Sequence, residues 1–147
     1  MKVMIETLQQ LCVVLSRPSV TVQDVSASLG KNIEDHGGNL PLIVQPFDPF
    51  FEEAVVVRKY GTQEPAHVRL KIAESMRLSV QELKNSFGEY RELRKQDWDS
   101  PVSVIFGVDM PNSSHTCAIL VDVALGERGI EDGTALSVIV RRDIKLD

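Results

Sequence analysis

The sequence predicts one α+β domain spanning 1–147, built on a mainly antiparallel sheet of about five to six strands. Two N-terminal helices and one helix between two strand groups are expected to pack on one face of that sheet. Three observations carry this. Two amphipathic stretches precede any strand signal. The strand signals come in two groups joined by short Gly- and Pro-containing turns. A single well-capped helix separates the groups, whereas a parallel βαβ chain would alternate strictly.

Residues 3–15 place Ile5, Leu8, Leu11, Cys12 and Leu15 on one stripe, and Arg17-Pro18 ends the run. Thr21, with Asp24 at the box position, predicts the cap of a shorter helix that buries Val22, Val25 and Leu29 and stops at Gly30. Residues 31–41 read as a loop. A short strand is expected over 42–45, after which Pro46 and Pro49 exclude a central strand. Phe47, Phe50 and Phe51 crowd this segment, either plugging the edge of the core or forming an exposed patch.

Residues 53–59 carry a β-branched run. Residues 67–73 alternate, with Val68, Leu70 and Ile72 facing one way and Arg69 and Lys71 the other. The turn at 61–65 makes these two strands antiparallel neighbours. Ser79 and Glu82 then form a capping box, with Leu78 and Leu83 placed as a hydrophobic staple, so a helix is predicted from Val80 to a stop near Gly88. Residues 89–97 read as a charged connection.

Three further strands follow, over 102–108, 116–125 and 135–142, joined as a meander. The first is partly apolar on its second face because of Ile105, and the next is apolar on both, as in a central strand. No internal repeat or low-complexity segment stands out.

The chain has 147 residues, 43% hydrophobic and 25% charged, enough for one domain with a real core. No apolar run approaches the ~18 residues of a membrane-spanning helix, and the N-terminus fits a secretory signal poorly. A cytoplasmic location is therefore expected. The net charge of −5 disfavours nucleic acid, because phosphate binding needs clustered cations. Cys12 and Cys117 both lie among apolar residues and are expected to be buried free thiols, with a disulfide between them as the alternative.

Chemistry is weakly signalled. His36, His67 and His115 show no metal-ligand spacing, and Gly37-Gly38 lacks a phosphate-loop context. No metal and no cofactor is expected. Asp109, His115 and Cys117 cluster in a short span, and His115 and Cys117 share one face of a strand, which allows a small-ligand pocket or hydrolytic site near 109–117.

The basic-aromatic stretch ending at Trp98 points elsewhere, since Arg and aromatic residues are favoured in desolvated contacts. The expected function is a non-enzymatic protein-binding domain of the adaptor, chaperone or inhibitor kind. It would act through an acidic surface with aromatic anchors, its binding residues being Phe47, Phe50, Phe51, Tyr90, Arg91, Arg94 and Trp98. The partner is expected to be another protein, with a homodimer also open.

Overall fold

The protein is described by a computed structural model covering residues 3–93 and 102–144. The elements run α1 (Val3–Leu15), α2 (Val22–Leu29), β1 (Gly30–Asp35), β2 (Leu42–Pro46), β3 (Phe51–Arg58) and β4 (Pro65–Ile72). They continue with α3 (Val80–Phe87), β5 (Tyr90–Leu93), β6 (Val102–Val108), β7 (His115–Gly126) and β8 (Gly129–Ile144). The mixed α+β architecture and the antiparallel sheet are as expected. The sheet has eight strands among the described residues, not five to six, in the order β1-β2-β3-β4-β8-β7-β6-β5.

The two additional strands are the sheet edges. β1 replaces the expected loop and β5 the expected charged connection. Five of β1's six residues are exposed, and β5 buries none of its four. An edge strand gains its hydrogen bonds from one neighbour and needs no apolar alternation, so neither announced itself in the residue pattern.

Helix α2 starts at a complete capping box. Thr21 Oγ accepts from the Asp24 N–H at 3.2 Å, and the Thr21 N–H donates to Asp24 Oδ2 at 3.0 Å. Helix α3 starts with Ser79 Oγ accepting from the Glu82 N–H at 3.0 Å and buries Val80 and Leu83. Ser79→Ala is expected to cost about 1 kcal/mol in chemical denaturation, with the fold retained.

The two capped helices reveal a repeat that the sequence reading passed over. Thr21–Gly30 reads TVQDVSASLG and Ser79–Gly88 reads SVQELKNSFG, matching at Val22/Val80, Gln23/Gln81, Ser28/Ser86 and Gly30/Gly88. Each helix leads into a four-stranded antiparallel meander. The two meanders meet at the β4–β8 pair, with Arg69 opposite Ile139. The sheet is thus two αββββ halves joined about a central pair. Gly30 has its own reason to be glycine, since a Cβ there would stand 2.0 Å from the Gln45 carbonyl oxygen on β2.

The core lies between the helix layer and one sheet face. Leu42, Val44, Ala54, Val56, Val68, Leu70, Val104, Phe106, Ile119, Val121, Val138 and Val140 point into it and meet Leu8, Leu11, Leu15, Val22, Val25, Leu78 and Leu83. Strands β2, β3, β4, β6, β7 and β8 contribute alternate residues, as the pleat requires. Both cysteines are buried but are not free thiols. Cys12 on α1 and Cys117 on β7 form a disulfide with a Cα–Cα distance of 5.4 Å.

Two arginines also point inward. Arg58 donates to Asp35 Oδ1 at 2.7 Å, Gln63 Oε1 at 3.0 Å and the Leu40 carbonyl at 3.0 Å. Arg142 ion-pairs with Glu64 and donates to the carbonyls of Leu15 at 2.7 Å, Arg17 at 3.0 Å and Pro18 at 3.4 Å. It thereby caps the C-terminal end of α1, where carbonyl groups lack helical partners.

Candidate functional site

On the face of the sheet away from the helices, no helix or strand among the described residues forms a covering layer. Strand register fixes the residues of this face. One cross-strand row runs Ile43, Val55, Arg69, Ile139, Leu120, Ile105, Arg91 from β2 to β5. A second runs Val57, His67, Arg141, Ala118, Gly107, and a third runs Glu53, Lys71, Ser137, Asp122, Ser103, Leu93.

Ile43, Val55, Val57, Leu120 and Ile139 are half-buried on this face and lie outside the hydrophobic core. Ile105 is buried to 7% exposure, beside Ala118 at 4%. A strip of aliphatic side chains therefore crosses the sheet where a solvated face would carry polar ones.

The polar groups here form local networks. Asp122 accepts from Ser103 Oγ and from Ser137 Oγ at 3.3 Å. Arg141 makes a two-point pair with Asp143 at 2.7 and 3.0 Å. Lys71 pairs with Glu52 at 3.5 Å. Among the described residues, Arg69 and Arg91 are exposed and have no hydrogen-bond or ion-pair partner. Burial holds the His67 imidazole below its usual pKa, and Arg69 and Arg141 add to the effect. Its Nε2 is buried without a hydrogen bond.

An open cleft of about 520 Å³ lies at the β5–β8 side of this face, between Arg91 and Arg141 and over Ile105, Gly107 and Ala118. A Cβ at Gly107 would meet nothing within 4 Å, so the missing side chain leaves the floor of the cleft open.

The residues expected from sequence to bind are dispersed. Phe47, on the β2–β3 connection, is 71% exposed and borders a cleft of about 270 Å³ with Glu6, Gln10 and Leu29. Phe50 is half-buried and lines a separate cleft of about 390 Å³ with Met4, Met76 and Arg77. Phe51 is 1% exposed, edge-on to Phe50 at 5.3 Å, and serves the core.

Tyr90 faces the helix side of β5, where it packs on Phe106 at 5.6 Å and donates to Glu131 at 2.8 Å. Burial first, and then the Glu131 hydrogen bond, push its hydroxyl up to about 12. Arg91, the next residue, alternates onto the open face. Arg94 and Trp98 lie outside the described residues.

The chemistry considered near 109–117 is altered by the disulfide, which removes the Cys117 thiol as a nucleophile. His115 Nδ1 lies 3.3 Å from Arg142 Nη2 and 3.0 Å from Ser114 Oγ. Burial lowers its pKa and the neighbouring Arg142 lowers it further.

Sequence reasoning missed the aliphatic open face, although the signal was present. Strand 116–125 is apolar on both faces and 102–108 partly so, and the helices among the described residues cover only one face. Comparison with family models, with curated proteins and with solved structures returns no match.

Proposed function

We propose that this protein is a non-enzymatic protein-binding domain of the adaptor, chaperone or inhibitor kind, and that it works through the open face of its sheet. The observation that carries the reading is the set of half-buried Ile43, Val55, Ile139 and Leu120, which lies outside the core on the face away from the helices. Aliphatic surface of this kind, here interrupted by Arg69 between Val55 and Ile139, favours contact, because burying it against a partner releases roughly 25 cal/mol per Å².

The expected acidic surface does not coincide with this strip, where Arg69 and Arg91 are the unpaired charges. Phe47 supports a secondary contact at the β2–β3 connection. No helix among the described residues is long and apolar enough to cross a membrane. The Cys12–Cys117 bond weighs against the cytoplasmic location expected from sequence, since disulfides persist chiefly where reducing thiols are scarce.

The test compares wild-type protein with Ile139→Lys as bait in native extract of the source cells, with sizing of both baits alone. Wild type is expected to retain a defined partner that the variant loses, while both keep the same thermal unfolding. Equal retention by a folded Ile139→Lys variant would remove the open face as the binding surface.

A further inference from the structure

Building on the open-face reading, we infer that the partner presents an acidic segment with aliphatic residues between its carboxylates. Arg69 on β4 and Arg91 on β5 flank Ile139, Leu120 and the buried Ile105 within one cross-strand row. Four strand-to-strand steps put the two backbones about 19 Å apart. Neither guanidinium has a partner among the described residues, so both are available to carboxylates.

The charge balance of the face agrees. The whole chain carries −5, yet the open face offers free cations. Asp143 is engaged by Arg141, Glu52 by Lys71, and Asp122 by Ser103 and Ser137. Two further exposed carboxylates lie outside these pairings, Glu53 beside Lys71 at the β3 side and Asp109, which lines the cleft together with Arg91.

A second copy docking by the same face would bring arginine towards arginine and carboxylates already in use, so the face is a poor match for itself. A nucleic-acid backbone would set phosphates over an aliphatic row. An acidic segment satisfies both ends at once and lays its apolar side chains on Leu120 and Ile139. The cleft of about 520 Å³ beside Arg91, with its open floor at Gly107, takes one larger apolar side chain of that segment.

The probe is a displayed library of random twelve-residue peptides, selected on the intact protein with its disulfide formed. The enriched pool is expected to be acidic and aliphatic. Its affinity should fall at least about ten-fold in the double variant Arg69→Glu, Arg91→Glu, and also on raising the salt. Both arginines are exposed, so this variant is expected to keep the fold.

Leu120→Glu tests the face itself, and Val55→Glu repeats that test on the same row should Leu120→Glu unfold. A pool that is basic or uncharged, or that binds the arginine variant undiminished yet is lost with Leu120→Glu, overturns the acidic partner and leaves the docking face standing. A pool retained by both face variants, or no enrichment at all, overturns the face and the inference together. Self-association by light scattering that disappears with Leu120→Glu would put a second copy on the face instead.

Discussion

Arg142→Met is expected to lower stability by about 3–5 kcal/mol, the largest effect of any single substitution considered for this protein. The side chain is 3% exposed and joins three parts of the fold. It pairs with Glu64 in the turn between β3 and β4, and it donates to the carbonyls of Leu15, Arg17 and Pro18 where α1 ends. Methionine fills similar volume but donates nothing, so it strands the carbonyls and leaves Glu64 without its cation.

Arg142→Lys should recover little of the loss. One ammonium cannot reproduce a planar fork that reaches a carboxylate and several carbonyls. Urea denaturation of both variants checks this, and a loss below about 1 kcal/mol for methionine would show the network to be incidental.

Removing the disulfide is the second large effect expected. Cys12 and Cys117 are 105 residues apart in sequence, and a cross-link closing so long a loop restricts the unfolded chain strongly. The double variant Cys12→Ala, Cys117→Ala is expected to lose about 2–5 kcal/mol while keeping the same sheet. Mass spectrometry of the denatured, unreduced wild type should show no free thiol. Full alkylation of both cysteines without reductant would contradict the bond and return the pair to the free thiols expected from sequence.

The parts of the fold legible in the sequence were those with local causes. Thr21 and Ser79 announce their helices because a hydroxyl before an apolar run has a definite partner three residues on. Strands β2, β3, β4, β6, β7 and β8 follow from apolar, β-branched or alternating runs between turn signals. The edge strands β1 and β5 do not, since their exposed residues obey no burial pattern. The αββββ repeat lies in the text of the two capped helices, but the loops and strands that follow differ enough in length to hide it.

Long-range chemistry was the least legible. Arg141 and Arg142 look alike as a charged strand end, yet the pleat sends one to the open face and the other beneath α1. Arg91 was singled out from sequence together with Tyr90, and the same alternation divides them between the two faces. The aliphatic character of the second face was visible in Ile105 and Leu120. In sequence the 116–125 run implies only a central strand, because strand order and helix coverage emerge only from the fold.

If the open face holds a protein partner, site-specific photo-crosslinking from that face will capture it. A benzophenone amino acid is placed at Ile139 on that face and, separately, at exposed Gln9 on α1 in the helix layer. One defined protein adduct is expected from position 139 in the source cells and none of that mass from position 9. No adduct from position 139, or the same adduct from both positions, would contradict a partner on the open face.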